Sequence, residues 1–262
     1  MKSVPVETGF SEMYVRRNDK YMKNNSSDTK KKSTTQTKKT TTATKKKSAA
    51  VSTGITVSAE LLIFSIDEDK LQLLMIEREE KPYAGLLALP SVEVGIKENL
   101  DDAALRGITE VTGLDDIYYE QLYTFGDTGR DPSKRNISVS YMALIPIEKL
   151  AFRPGERVAG VWLVDVDDLL EGDDEIAFDH REMIEYARWY LADRTESTTI
   201  AFHLVDDMFT LPDLQRVYEI ILGRSLYKAN FRKKVAGLIE ETEYLTTGEA
   251  HRPSRLYVLA EE

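Results

Sequence analysis

The sequence predicts an α+β fold in which helices cover a mixed β-sheet and a winged helix-turn-helix follows. Between residues 56 and 198, β-rich runs flank isolated amphipathic helices, which is typical of a helix-and-sheet sandwich. After residue 199, two helical patterns meet across a tight turn and precede a pair of short β-rich runs, as in a winged helix. We therefore divide the chain into a basic tail (1–55), a sandwich domain (56–198) and a winged helix domain (199–262).

The predicted tail differs from the rest of the chain in composition. Residues 24–53 are Ser, Thr and Lys with almost nothing apolar, so burial cannot offset the entropy of ordering them and we predict disorder. Residues 1–50 carry 13 Lys and Arg against 4 acidic residues, whereas the whole chain has a net charge of −10. Two interpretations stay open: a solvated tail or misassigned start, or a basic arm that holds DNA phosphates without sequence preference.

Composition excludes several classes of protein. The hydrophobic fraction of 42% suits a soluble globular chain, and no run of 18 apolar residues is present to span a bilayer. The N-terminus lacks the apolar segment of a secretory signal. The absence of cysteine excludes disulfides and thiolate metal sites. We therefore expect a cytoplasmic protein with no membrane partner.

The sandwich domain alternates strands and helices. Asn99 stands at a predicted N-cap with Asp102 at the capping-box position, and Gly113 is placed to end that helix. A second amphipathic helix is predicted over residues 179–191. The predicted strands cover residues 56–66, 71–78, 117–125, 137–145 and 158–164.

The C-terminal domain has two helices in its pattern. Gly223 separates them, and Thr210 with Asp213 offers a capping box for the first. Residues 244–247 and 255–259 are predicted to pair as a short hairpin. The apolar positions on the two inward helix faces are Leu214, Val217, Tyr218, Ile221 and Leu222, then Phe231, Val235, Leu238 and Ile239.

Residues 89–114 contain a degenerate motif. Glu98, Arg106 and Glu110 keep a fixed spacing to Gly113-Leu114, which resembles the Nudix box, G-x5-E-x7-R-E-U-x-E-E-x-G-U with U aliphatic. Three positions depart from it, because Val92 replaces the opening glycine and Gly107 and Val111 replace two glutamates. The resemblance implies a Nudix-type α/β/α sandwich.

The lost carboxylates decide the chemistry that we expect. Diphosphate hydrolysis needs Mg²⁺, which needs several hard oxygen ligands in a fixed geometry. Positions 107, 110 and 111 lie within one helical turn and are expected to face one cleft, yet Glu110 alone is acidic. We therefore predict no catalytic residue, no metal and no cofactor, and interpret Glu98, Arg106 and Glu110 as a salt-bridge set that supports the loop and helix.

The resemblance continues beyond the box. Residues 120–141, residues 177–180 and residues 209–234 resemble the Nudix-related transcriptional regulators of the NrtR family, in register from about residue 56 to 259. This resemblance implies a dimeric bacterial repressor or activator in which a Nudix-like domain binds an effector. The effector that it implies is ADP-ribose or a sugar such as arabinose, and the partner is a double-stranded DNA operator.

A basic segment supports the DNA-binding prediction. Residues 224–234 include five basic residues and no acidic one, and a helical wheel puts Lys233 at the centre of the exposed face. Tyr227 stands where the family usually has Asp, which predicts a weak N-cap. Residues 51–199 carry 31 acidic against 14 basic residues, so we expect salt-sensitive binding. The alternative is an ordinary solvated basic face. The candidate DNA-binding residues are Lys228, Asn230, Arg232, Lys233, Lys234, Arg252 and Arg255.

The effector site is predicted around the loop 126–135. That loop brings Arg130, Asp131 and Arg135 together, polar groups suited to hydroxyls or phosphates. Arg78, Glu98 and Glu110 complete the candidate set. The alternative is a surface loop with its own ion pairs, or a joint that relays to the DNA-binding domain.

Other conspicuous residues receive structural interpretations. His180 is expected to cap or pack rather than bind a metal, and Trp162 and Trp189 are expected in the core.

The leading hypothesis is a sequence-specific DNA-binding regulator with a non-catalytic effector domain. Two alternatives stay open: a Mg²⁺-dependent hydrolase of the ADP-ribose pyrophosphatase type, and a protein-interaction module with a vestigial winged helix.

Overall fold

The computed structural model describes residues 54–151, 158–246 and 253–260. The predicted disordered tail lies outside the described residues except for its last two positions, and Arg252 lies outside them as well.

A mixed seven-stranded sheet forms the centre of the sandwich. Its strands follow the order β3-β2-β1-β6-β5, while β4 pairs with β1 and β7 pairs with β2. β1 and β6 are parallel, and the other pairs are antiparallel. The strands are β1 (Thr56–Asp67), β2 (Lys70–Arg78), β3 (Leu87–Ala88), β4 (Ser91–Glu93), β5 (Tyr118–Phe125), β6 (Asn136–Leu144) and β7 (Val158–Asp165).

Helices cover both faces of this sheet. Helix α1 (Leu100–Thr112) packs its Ala104 and Ile108 against one face. Helices α2 (Val166–Glu171) and α3 (His180–Ser197) pack on the other face. Strand residues alternate between the two apolar clusters because successive side chains in a strand point to opposite faces. The predicted sandwich is confirmed.

The winged helix follows in the predicted order. A 3₁₀ turn (Ile200–Leu204) leads into α4 (Leu211–Leu222), α5 (Lys228–Val235) and a hairpin of β8 (Ile239–Leu245) and β9 (Arg255–Leu259). The predicted capping box of Thr210 and Asp213 is present at the start of α4. Gly223 ends that helix at φ 62°, a left-handed conformation that glycine adopts without strain.

The sandwich and the winged helix share one buried apolar cluster. It joins Leu62 and Phe64 of the sheet to Tyr218 of α4 and Phe231 of α5. Across the same junction, the Arg188 guanidinium of α3 donates to a carbonyl oxygen of α4 at 2.6 Å. α3 is therefore packed directly against the winged helix.

Several local predictions were wrong. Asn99 is the N-cap residue of α1 as predicted, but the expected capping box is absent, because its side chain donates to Asp102 at 2.8 Å and makes no hydrogen bond to the helix backbone. Ile239 belongs to β8 rather than to a helix, so the wing begins five residues earlier than predicted. Trp162 and Trp189 are 52% and 39% exposed, because strand and helix periodicity places both rings at the solvent side of their elements.

Within the described ranges, no helix combines the length and apolar character needed to cross a membrane.

Candidate functional site

A polar cavity of about 420 Å³ opens at one end of the central sheet. The loop after β2, the segment before β6 and the start of α3 surround it. Its lining residues are Ser58, Glu60, Ile76, Arg78, Glu79, Glu80, Lys81, Pro82, Leu89, Ser91, Glu93, Arg130, Asp131, Ser133, Lys134, Asn136, Phe178 and His180.

The floor of the cavity is made by alternate residues of the two parallel strands. Ser58 and Glu60 of β1 lie on the same face as the apolar Leu62, and Asn136 lies next to Ser58 on β6. The Asn136 amide donates to the Ser58 hydroxyl at 2.9 Å, and that hydroxyl donates to Glu60 Oε1 at 2.9 Å. The Ser91 hydroxyl donates to the same oxygen at 3.2 Å. The sheet face that carries the shared core thus becomes polar at this end.

Glu60 is a buried carboxyl group with incomplete pairing. Burial raises its pKa to about 7, against the opposing influence of the Arg130 charge and of the Ser58 and Ser91 hydroxyls. Its second oxygen, Oε2, and Asn136 Oδ1 are buried without a hydrogen-bond partner in the described structure. Both atoms accept hydrogen bonds, so the floor offers unsatisfied acceptors.

A buried ion pair forms one wall. The Arg130 guanidinium donates to both carboxylate oxygens of Asp179, at 2.9 and 2.7 Å. Two-point pairing of this kind fixes the arginine side chain as well as neutralising it. Asp179 immediately precedes α3, so the pair ties the loop before β6 to the start of that helix.

Aromatic and histidine side chains close the same wall. Phe178 has a left-handed backbone at φ 56° and lies under the Arg78 guanidinium at 4.8 Å. Bulky residues rarely adopt this conformation, and such outliers are found at functional sites. His180 accepts a hydrogen bond from the Leu89 backbone at 2.9 Å, and burial lowers its pKa to about 3. The histidine is therefore neutral and holds the wall, as its predicted packing role requires.

The predicted effector residues divide into two groups. Arg78, Arg130 and Asp131 line the cavity. Arg135 does not line it, because its guanidinium donates to the carbonyl oxygens of Asp127 and Asn136, at 3.1 and 3.2 Å. Glu98 and Glu110 also lie outside the lining, in an ion-pair set with Arg106.

The cavity floor was not predicted from the sequence. Ser58, Glu60 and Asn136 are polar residues in strands that are otherwise buried and apolar, and they recur with a period of two. A charged residue in an apolar strand run is a signal of a functional site. The missed lining residues that contact one another are Ser58, Glu60, Ser91, Asn136, Phe178 and His180.

The basic face of α5 forms a separate surface. Lys228, Asn230, Arg232 and Lys233 are exposed on it. Lys234 is also exposed, yet its ammonium group lies 5.1 Å above the Tyr218 ring and partial burial lowers its pKa, so this lysine also contributes to packing. The other cationic candidate that the structure describes is Arg255, which pairs with Glu241 of the wing at 3.1 Å.

The start of α5 lacks a side-chain cap, as predicted. Tyr227 occupies the N-cap position, makes no capping hydrogen bond and is 84% exposed. Arg224 is the remaining basic residue of the segment 224–234, and it pairs with Glu196 of α3 at 2.5 Å.

Comparison with known proteins identifies the relatives of this architecture. Residues 58–187 match the NUDIX domain, and residues 201–259 match the NrtR DNA-binding winged helix domain. An ADPR-responsive transcriptional repressor of Acinetobacter baylyi is 34% identical over 208 residues, which cover 78% of this chain and 82% of the relative. This chain belongs to the NrtR family. The crystal structure of Shewanella oneidensis NrtR with a 27mer DNA is similar, with a TM-score of 0.69, 30% identity, and coverage of 78% of this chain and 93% of that chain.

A hydrolase is also similar to the sandwich domain. The ADP-ribose pyrophosphatase of Methanocaldococcus jannaschii is 29% identical over 125 residues, which cover 47% of this chain and 70% of the enzyme. The Nudix fold of this NrtR-family chain therefore has both regulators and a hydrolase among its relatives.

The polar box residues on and before the Nudix helix α1 of this NrtR-family chain are engaged in ion pairs with one another. Arg106 donates to both oxygens of Glu98 at 2.8 and 3.0 Å and to Glu110 at 3.2 Å. These bonds and the Gly95 backbone amide lower the pKa of Glu98 to about 2. The same guanidinium donates to the Glu93 carbonyl at 3.1 Å, so the predicted support of loop and helix is confirmed.

We predicted that positions 107, 110 and 111 face one cleft, and this prediction was wrong. A Cβ atom at Gly107 would lie 2.8 Å from Leu61 Cδ1 and 2.9 Å from Val92 Cγ1, so this position faces the sheet at close approach. Val111 packs against the same apolar cluster, whereas Glu110 is exposed. The substitutions that remove two carboxylates are thus part of the contact between helix and sheet.

Proposed function

We propose that this protein is a sequence-specific DNA-binding transcriptional regulator whose Nudix-like domain binds ADP-ribose, or a compound of similar chemistry, without hydrolysing it. One observation carries the proposal: the helix whose first turn lines the polar cavity is also the helix that contacts the winged helix. His180 of α3 lines the cavity, and Arg188 of the same helix bonds to α4.

The cavity chemistry supports an anionic, hydroxylated effector. Arg78 and Lys81 are cationic lining residues that suit phosphates, whereas Lys134 is paired with the lining residue Glu93. Ser58 and Ser91 belong to a hydrogen-bonded floor that suits hydroxyl groups. The A. baylyi relative is described as ADPR-responsive, and we extend that effector to this chain.

The exposed face of α5 supplies the contacts to DNA. A recognition helix enters the major groove, where arginine pairs with guanine and asparagine with adenine, while lysine mostly meets phosphate. We assign these roles to Arg232, Asn230 and Lys228 with Lys233. The S. oneidensis relative is complexed with a 27mer DNA. We further propose a homodimer that reads two half-sites, acting in the cytoplasm where its operator lies.

The coupling between the two sites runs along α3. An effector that contacts Arg130 or His180 would act on the start of this helix, where Arg130 binds Asp179. Movement there changes the position of Arg188 and Glu196, which contact α4 and Arg224 near the recognition helix. A shift in the spacing of two recognition helices would lower operator affinity.

Fluorescence anisotropy on the protein's own promoter tests the DNA-binding role. We expect the double variant Arg232→Ala/Lys233→Ala to bind at least about tenfold more weakly, because one lost base contact costs about 1–3 kcal/mol. Lys97→Ala is the matched control, since Lys97 is an exposed lysine of the sandwich domain. Equal affinity of all three proteins, or no specific binding at low salt, would contradict the role.

The second candidate function is ADP-ribose hydrolysis. It is favoured by the similarity to the M. jannaschii enzyme and by the two retained glutamates, Glu98 and Glu110. AMP release from ADP-ribose with Mg²⁺ measures it directly. Turnover that disappears in Glu110→Gln would establish hydrolysis in place of pure sensing.

A further inference from the structure

We propose that Glu60 and Asn136 receive the hydroxyl groups of a sugar at the floor of the cavity, while the phosphates of the effector stay at its rim, near Arg78 and Lys81. This inference rests on the proposed function, because it assigns an orientation to the effector of the same cavity.

Two unsatisfied acceptors define the floor. Glu60 Oε2 and Asn136 Oδ1 have no hydrogen-bond partner in the described structure, although the two residues are only 3% and 6% exposed. A buried polar atom without a partner is destabilising, and native proteins satisfy most of them with protein, water or ligand. Both residues line the cavity, although the two atoms themselves are enclosed, so a small movement of these side chains would bring them into contact with a bound molecule.

The surrounding hydrogen bonds fix which atoms face the ligand. Glu60 Oε1 already accepts from the Ser58 and Ser91 hydroxyls, which leaves Oε2. Because the Ser58 proton is directed to Glu60, its oxygen accepts from the Asn136 amide, which leaves Oδ1 of that residue. While the Ser58 proton is directed to Glu60, turning the asparagine amide round would place its carbonyl oxygen against the Ser58 oxygen, which is also an acceptor.

Acceptors on the floor select the chemistry of the ligand. Sugar hydroxyls donate hydrogen bonds, whereas ionised phosphate oxygens only accept them. A phosphate beside Glu60 would meet a second acceptor and, when the carboxyl group is ionised, a like charge. The floor is therefore suited to vicinal hydroxyls and unsuited to a diphosphate.

The rest of the site has a place for the other parts of a sugar nucleotide. Arg78 and Lys81 line the cavity and supply positive charge, whereas the ammonium group of Lys134 is already paired with Glu93. A more open groove adjoins it and shares Lys81, Pro82 and Ser133 with it. Tyr83 lines that groove and contacts Phe178 edge-on, with ring centroids 4.8 Å apart. A flat base fits this aromatic end, which leaves the terminal sugar for the floor.

A ligand-truncation experiment with calorimetry tests the assignment. Wild type, Glu60→Leu and Glu60→Gln are titrated with ADP-ribose, with ADP, which lacks the terminal sugar, and with D-ribose or L-arabinose alone. In Glu60→Leu we expect ADP-ribose affinity to fall about tenfold to a hundredfold, the range for a hydrogen bond to a charged group, and ADP affinity to change less than about twofold. Glu60→Gln should lose less, because it keeps the Ser58 and Ser91 bonds.

The controls separate binding from folding. Glu148→Gln changes an exposed carboxylate outside this cavity and should bind all ligands as wild type does. Glu60→Leu also removes the acceptor of the Ser58 and Ser91 hydroxyls, so its melting temperature is measured beside its ligand affinities. If Glu60→Leu fails to fold, the near-isosteric variant Glu60→Gln tests the assignment instead. Its affinity for ADP-ribose is then compared with its affinity for ADP.

The outcomes distinguish the two proposals. Equal losses for ADP-ribose and ADP, or no loss for ADP-ribose, overturn the floor assignment while the sensing role stands. Binding of a free sugar but not ADP-ribose, with loss in Glu60→Leu, keeps the floor assignment and overturns ADP-ribose as the effector. Binding of none of the ligands by wild type overturns both.

Discussion

The Nudix helix and the polar cavity use the same types of residue in opposite ways. On α1, Arg106 joins Glu98 and Glu110 in a set that is largely open to solvent. In the cavity, Arg130 is buried with Asp179. Exposed ion pairs contribute about 0–1 kcal/mol, whereas removing one partner of a buried pair costs about 3–5 kcal/mol. Glu98, Arg106 and Glu110 are therefore expected to contribute little to the free energy of unfolding, whereas the loop residue Arg130 should contribute a great deal.

The largest expected effect is at Arg130. Arg130→Met should lower the free energy of unfolding by about 3–5 kcal/mol, because it leaves the Asp179 carboxylate without its partner. Urea denaturation followed by circular dichroism measures the loss. Arg106→Met is the matched control and should cost less than about 1 kcal/mol. Similar losses in the two variants would remove the distinction between the regions.

The pH dependence of stability sharpens the comparison through Glu60. Its pKa is raised from 4.5 to about 7 in the folded state, so the stability it contributes is fully present below pH 4.5 and is lost as pH rises to about 7. The loss is up to about 3 kcal/mol, at 1.36 kcal/mol per pKa unit. The free energy of unfolding of wild type minus that of Glu60→Gln, measured by denaturation across this pH range, should fall as pH rises. A flat difference would show that the carboxyl group is well solvated.

His180 acts with the opposite sign in an overlapping window. Its pKa is lowered from 6.5 to about 3, so its contribution is fully present above pH 6.5 and is lost as pH falls towards 3. Between pH 4.5 and 6.5 the two groups therefore offset each other. The variant Glu60→Gln lacks the offsetting group, so its free energy of unfolding should fall on acidification through this interval. That of wild type should change less.

Restoring a carboxylate to the box should have a moderate, unfavourable effect. Gly107→Glu would place side-chain atoms against Leu61 and Val92, and overpacking of this kind costs about 1–3 kcal/mol. We expect a lower midpoint of urea denaturation and no gain of ADP-ribose hydrolysis. A stable variant that hydrolyses ADP-ribose would show that the helix can move away from the sheet.

The smallest expected effect is at Glu110. Glu110→Gln weakens the longest of the three bonds that Arg106 makes to the two glutamates and should change the free energy of unfolding by less than about 0.5 kcal/mol, as for other exposed helix pairs. Thermal unfolding with Glu98→Gln measured in parallel checks this. A larger loss of thermal stability in Glu110→Gln than in Glu98→Gln would contradict the prediction that Arg106 binds Glu98 more strongly.

Local signals predicted the fold well, because they depend on neighbouring residues. Gly113 ends α1, and Thr210 with Asp213 caps α4 as their sequence pattern requires. The cavity floor was missed because Glu60 and Asn136 are brought together by parallel pairing of two strands whose partners are 80 residues apart in the sequence, Glu60 with Ser140 and Thr56 with Asn136. Arg135 was assigned to the cavity by its sequence proximity to Arg130, yet its guanidinium is engaged by loop carbonyls. Sequence proximity does not tell which way a loop arginine turns.

The apolar cluster that joins the sheet to α4 and α5 bears on how such regulators are engineered. Because Tyr218 and Phe231 are buried together with Leu62 and Phe64, the DNA-binding end is not an exchangeable cassette. Cutting the chain near residue 199 would strip the winged helix of part of its hydrophobic interior. A chimaera with a foreign sensor must therefore transplant α3 and the sheet face beneath it, not the recognition helix and wing alone.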